Sequence, residues 1–225
     1  MGGKARPVGW HDGCMAVRDY VEWHGEYDRP GSHLHLRLLV VQDLIACALE
    51  ELGPGPVRVI SMCAGQGRDL LTVARRHRRG DDLTGRLVEL DPHNVAVARA
   101  AIEEAGVDAI QVVEGDAGRS EVYAGASPAD LVLACGIFGN VRDDDVETTV
   151  QFLPSLCASG AWVIWTRHPR DDGIVRTIQD WFVEAGFQPT ALVVPGGDMF
   201  GVGAARFEGD TTPLRPDVRL FDFIR

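Results

Sequence analysis

The chain has 225 residues, 45% of them hydrophobic and 24% charged, and Lys+Arg 22 against Asp+Glu 33 leaves a net charge of −11. That composition belongs to a globular protein able to bury a large core, at a length that suits one α/β domain with or without an appendage. The negative balance argues against a broad phosphate-tracking surface and so against DNA or RNA as substrate. No apolar run approaches the roughly 18 residues of a membrane span. Lys4 and Arg6 have no apolar stretch behind them of the kind a secretory leader needs. Cys14, Cys47, Cys63, Cys135 and Cys157 are odd in number and never in CxxC spacing, which reads as reduced thiols in a cytoplasmic protein rather than a disulfide frame or zinc site.

In chain order, residues 1–32 are mixed polar and aromatic, and DRPGS (28–32) is a breaker cluster ending in a helix N-cap at Ser32. Leu34, Leu38, Val41, Leu44, Ile45, Ala48, Leu49 and Leu52 then recur at helical spacing, and Gly53-Pro54-Gly55-Pro56 stops that helix. Short β-branched runs now alternate with amphipathic helices. The expected strands are 57–62, 85–90, 110–115, 129–136 and 161–166, and the expected helices are 68–77, 92–105, 143–156 and 173–185. Two final runs, 190–194 and 200–207, are joined by Pro195-Gly196-Gly197-Asp198 and predict an antiparallel hairpin added as a sheet edge. The alternation requires right-handed crossovers and a parallel sheet covered on both faces, whose ligands bind beyond the carboxyl ends of the strands.

The residues at those strand ends carry the chemistry. The first strand runs into CAGQGRDLL (63–71), where Gly65 and Gly67 permit a tight turn and the next helix points its positive end at the site. The second ends in Glu89, roughly 20 residues beyond Gly67, where a carboxylate can accept from both hydroxyls of a ribose. A dinucleotide fingerprint needs a third glycine, but Leu70 stands there. The third strand ends in Gly115-Asp116-Ala117, where a carboxylate can accept from an adenine amino group beside a reading backbone amide. The fourth ends in the small residues Cys135-Gly136.

In order and spacing, VRVISMCAGQG, LVELDP, VVEGDA and ADLVLACGIFGN resemble the class I (Rossmann-like) S-adenosylmethionine-dependent methyltransferases over residues 57 to about 207. The resemblance implies a seven-stranded, mostly parallel Rossmann-like sheet with an antiparallel C-terminal hairpin and S-adenosyl-L-methionine as cofactor, leaving S-adenosyl-L-homocysteine as product. It implies that the Gly65–Gly67 loop cradles the methionine part, Glu89 the ribose, and Asp116 with Ala117 the adenine, with Cys63, Ala64, Leu90, Cys135 and Gly136 completing the expected cofactor site. The family often carries an acidic residue where Ser61 stands and glycine where Cys63 stands. Residues 1–56 are expected to form a helical cap or lid over the cofactor domain, 57–225.

Methyl transfer is an in-line displacement in which holding the acceptor can supply much of the acceleration, with a base adding to it. His168, in WTRHPR after the fifth strand, is one candidate base and equally a loop histidine fixing the turn at Pro169; Tyr27 and His24 in VEWHGEYD are the others. Arg167 reads as a surface ion pair or an acceptor clamp, His33 and His35 as solvent or cap residues, and Asn140 as a turn residue beside the acceptor. The run Arg75–Arg79 ends a helix and Asp143–Asp145 opens one, so each complements a helix dipole. With no metal-ligand spacing, the reading is a metal-independent methyltransferase acting at oxygen or nitrogen of a small molecule. A protein or tRNA methyltransferase, a non-catalytic cofactor-binding sensor or scaffold, and a nicotinamide oxidoreductase stand as alternatives.

Overall fold

The computed structural model describes residues 26–169, 173–194 and 200–224. Helix α1 (His33–Glu51) begins where Ser32 accepts the His35 amide through its hydroxyl (3.1 Å). Strands β1 (Val57–Ser61), β2 (Leu83–Glu89), β3 (Ile110–Glu114), β4 (Ala129–Ala134), β5 (Cys157–Arg167), β6 (Phe187–Val193) and β7 (Gly201–Phe207) alternate with α2 (Leu70–Ala74), α3 (Pro92–Ala105), α4 (Asp143–Phe152) and α5 (Ile174–Glu184). The boundaries of α3 follow local chemistry. Asp91 caps the His93 and Asn94 amides, Pro92 fills the first turn, and Gly106 closes the end at φ 68°.

The sheet order is β3-β2-β1-β4-β5-β7-β6, with β7 antiparallel to both neighbours and the other strands parallel. The order reverses between β1 and β4, which places a ligand crevice at their carboxyl ends. The hairpin forms, but not as an added edge. The β5–α5–β6 crossover leaves a slot one strand wide, and β7 returns into it, so β6 is the edge. Small residues in GVGAARF suit that position, since β7 is buried along nearly its whole length. The link between β6 and β7 (195–199) lies outside the described residues.

Two apolar layers sandwich the sheet. On one face α5 presents Ile174, Ile178 and Phe182 at a spacing of four, and Trp165, Phe182, Phe187 and Phe207 form a run of ring contacts 4.8–5.8 Å apart. On the other, α1 buries Val41, Ile45, Ala48 and Leu49 with Val59, Leu87, Leu133 and Ile164. The C-terminal half of α1 is thus a layer of the core, and only its first turns reach the crevice. Helix α2 is shorter than its apolar period suggests because the chain doubles back at Gly80, where a β-carbon would stand 1.9 Å from the Ala74 carbonyl. Arg79, buried beside that reversal, donates to the carbonyls of Leu49, Leu52, Gly53 and Gly55 at the end of α1. Arg75 pairs with Glu104, and His77 and Arg78 with Glu50, so most of the basic run is committed to internal partners. No helix among the described residues is long and apolar enough to cross a membrane.

Candidate cofactor and active site

One cavity of about 410 Å³ opens at the carboxyl ends of β1, β2, β3 and β4. Its floor is the β1–α2 loop, in which Cys63, Gly65 and Gly67 all take left-handed conformations, with φ of 51°, 56° and 70°. Any other residue at Gly67 is strained, since it must adopt φ 70° and place a β-carbon 2.8 Å from Leu71 and 2.9 Å from Leu87. The Ala64 amide donates to the Val88 carbonyl at 2.8 Å, which ties the loop to β2.

Glu89 completes that tie. One carboxylate oxygen accepts the Gly65 amide (2.7 Å) and the other the Asp91 amide (2.9 Å). An ionised carboxylate offers about four acceptor positions, so two remain after both amides are bound. Leu90 beside it is 65% exposed on the cavity. Across the crevice, Asp116 accepts the Gly118 amide (2.9 Å) and pairs with Arg219. Ala117, Cys135 and Gly136 line the space between, and the Gly136 amide donates to the Thr166 hydroxyl at 2.7 Å.

At the other end stand Tyr27, Arg37, Leu38 and Asp69. The Arg37 guanidinium donates to the Tyr27 hydroxyl at 2.8 Å, and the Tyr27 carbonyl accepts from the His35 ring at 3.0 Å. Arg68 reaches back to Asp28 (2.6 Å) and lies 5.9 Å from the Tyr27 ring centre, holding residues 26–28 over the glycine loop. Burial raises the Tyr27 hydroxyl above its ordinary range, opposed by Arg37. Burial likewise raises the Asp69 carboxyl, opposed by its bond to the Leu70 amide. The Cys63 thiol is pushed up by burial and by the charges of Glu89 and Asp116, and Cys135 by burial and Asp69. Both thiols therefore behave as small apolar groups rather than nucleophiles.

A protein-family profile described as "Putative methyltransferase" matches residues 16–181. The chain belongs to this methyltransferase family. No curated protein matches the sequence. Among solved structures, the chain is similar to magnesium protoporphyrin IX methyltransferase from Synechocystis PCC 6803, crystallised with bound SAH. The TM-score is 0.64 at 12% identity, over 84% of this chain and 94% of that one. It is also similar to an O-methyltransferase family protein from Burkholderia thailandensis, with TM-score 0.57 and 16% identity over 84% of this chain and 70% of that one. A third likeness is to the fibrillarin pre-rRNA processing protein of Methanococcus jannaschii, with TM-score 0.56 and 15% identity over 75% of each chain. These likenesses establish the Rossmann-like methyltransferase fold.

Of the residues singled out from sequence, the methyltransferase brings Cys63, Ala64, Gly65, Glu89, Leu90, Asp116, Ala117, Cys135, Gly136 and Tyr27 to one cavity, with Gly67 beneath it. His24 lies outside the described residues. His168 does not line the cavity; it is exposed, and its ring nitrogen contacts the Pro169 carbonyl, as a turn histidine would. Arg167 is neither on the surface nor in the cavity. Its side chain is fully buried, paired with Asp143 and donating to the Phe138 carbonyl, which pins the β4–α4 loop. Asn140 does both things expected of it, lining the cavity while donating to Gly136 (2.7 Å). Sequence reasoning missed Arg37, Asp69 and Phe223. Asp69 carried a usable signal, a carboxylate at a helix start within the glycine loop; the other two arrive from remote segments.

Proposed function

We propose that this methyltransferase uses S-adenosyl-L-methionine to methylate oxygen or nitrogen of a small molecule. The observation that supports it best is the convergence of the glycine loop, Glu89 and Asp116 with Ala117 on a single cavity. The residues fit the cofactor: Glu89 has acceptor positions for two ribose hydroxyls, Asp116 stands where an amino group can be read, and the loop backbone is open to the methionine part. When bound, the cofactor supplies an activated methyl group. The binding of this cofactor, and of its product, to the Synechocystis enzyme accords with this reading.

Within the chain, Leu38, Ala64 and Cys135 give the region where the acceptor stands an apolar lining that limits water. Tyr27, with its proton held more firmly than in water, serves as a hydrogen-bond donor that orients the acceptor rather than as a base. Asp69, whose carboxyl burial makes more basic than a free one, is the better proton acceptor for a hydroxyl or ammonium group. Of the described part of the expected cap, Tyr27, Arg37 and Leu38 reach the cavity, while α1 from Val41 onward packs in the core. The concave cavity, the net charge of −11 and the internally paired basic run favour a small acceptor over a nucleic acid.

Isothermal titration of the full chain with S-adenosylmethionine and S-adenosylhomocysteine should give heat with both. Radiolabelled methyl should then appear on a member of a panel of phenols, carboxylic acids and amines. Absence of binding to either nucleoside would overturn the reading, while binding without product on any acceptor class would favour a sensor.

A further inference from the structure

The segment after β7 runs along the cofactor crevice. The Thr211 hydroxyl donates to the Cys157 carbonyl (2.9 Å), and Ser120 and Val218 exchange two bonds at 3.0 Å. The Leu220 amide donates to Gly118 (2.8 Å) and the Ile224 amide to Asn140 (2.8 Å). Leu220 and Phe221 are buried. At Gly118 a β-carbon would lie 2.5 Å from the Phe221 carbonyl, so this approach requires glycine. The segment therefore staples the loop after β3 to the loop after β4, the two loops that carry Asp116 and Asn140.

Two of its side chains reach the site. The Arg219 guanidinium bridges Asp116 and Asp222. Phe223 lines the cavity, 40% exposed, and is held edge-on by Phe221 at 5.6 Å and 77°. We propose that this segment is part of the nucleoside site, with Arg219 as the positioning residue for Asp116 and Phe223 as an apolar face for the base. The inference rests on the cofactor reading above. With a backbone amide and a guanidinium already donating to it, the Asp116 carboxylate can only accept, so it welcomes an exocyclic amino group and repels a carbonyl oxygen at the same place. A half-exposed aromatic ring on a cavity wall gains most when a flat ring covers it.

The test is to titrate wild type, Arg219→Gln, Arg219→Lys, Phe223→Ala and Phe223→Leu with S-adenosylhomocysteine and with its deaminated hypoxanthine analogue, following thermal midpoints to confirm folding. Wild type should prefer the adenine form. Arg219→Gln should reduce that preference by about tenfold, and Arg219→Lys, which keeps the charge but not the fork, should restore part of it. Phe223→Ala should weaken both forms alike by about tenfold, with Phe223→Leu between. A uniform loss, or none, in Arg219→Gln would reduce that residue to a structural staple and overturn its assignment. Unchanged affinity in Phe223→Ala would overturn the other. If wild type binds neither nucleoside, the cofactor reading falls and this inference with it; if wild type binds and the variants behave as wild type, only this inference falls.

Discussion

Replacing Glu89 with alanine removes four hydrogen bonds at once under the proposed function: two the structure contains, from the Gly65 and Asp91 amides, and two from a bound ribose. Hydrogen bonds to a charged group contribute about 1.5–3 kcal/mol each, so losing both ribose contacts should cost about 3–6 kcal/mol of binding. That corresponds to roughly 10²–10⁴ in dissociation constant. Glu89→Gln distinguishes the two pairs of bonds. A carboxamide has one accepting oxygen, so in either orientation its NH₂ group must face one of the two amides, donor against donor. The glutamine variant should therefore lose stability as well as affinity, despite its near-identical size. Calorimetry with S-adenosylhomocysteine and urea titration of the free chain measure the two effects separately. Affinity of Glu89→Ala within about threefold of wild type would refute the ribose role. A glutamine variant as stable as wild type would refute the argument from the paired amides.

Three further outcomes are expected. Gly67→Ala must adopt φ 70° with its β-carbon under 3 Å from Leu71 and Leu87, and the combined backbone strain and overpacking should lower unfolding free energy by at least about 2 kcal/mol, read by urea titration. For Asp69 the folded state raises the carboxyl, so the native state favours the proton and loses relative stability as pH rises from the ordinary carboxylate range through the raised value. Asp69→Asn, which caps as well as aspartate, should be at least as stable as wild type at pH 7, with the difference shrinking toward pH 4 and turnover reduced; a variant clearly less stable at pH 7 would contradict the shift. His168→Ala should bind cofactor normally and turn over within a few-fold of wild type, because the ring does not line the cavity; a loss beyond about 10² would reinstate it as the base.

What could be read from sequence was whatever neighbouring residues decide between themselves. Ser32, Asp91-Pro92 and Gly106 specify helix ends through bonds spanning a few residues, and the turn at Gly65–Gly67 needs only φ values that glycine allows. The strand ends inherit their convergence from the crossover rule, so Glu89 and Asp116 could be placed at one crevice without coordinates. The position of β7 could not, because its slot is created by where β6 lands. Arg167 misled because a charged residue ending a strand reads as exposed, while its partners are Phe138, in a loop with no periodic signal, and Asp143, the first residue of α4, which read as a dipole-complementing helix start.

The same logic separates the two ends of the cavity. The nucleoside end is assembled from consecutive strand tips, whose relative positions any parallel sheet of this order repeats. Under the proposed function the acceptor end is assembled from Asp69 in the glycine loop and from Tyr27 and Arg37, which a single side-chain bond joins, and the nucleoside end gains Arg219 from a segment on the far side of β7. Contacts of that kind carry no period and no motif, so they can change between proteins of one fold without disturbing the sheet. Structures as different in stated role as a porphyrin methyltransferase and a pre-rRNA processing protein share this chain's fold at 12% and 15% identity. Fold alone therefore does not set the acceptor, and under the proposed function its choice falls to those unpatterned residues. Substitutions at Arg37 and Tyr27 should accordingly alter acceptor KM and the acceptor profile while leaving S-adenosylhomocysteine affinity within a few-fold of wild type, and an Arg37→Ala variant with its acceptor profile unchanged would place selectivity elsewhere.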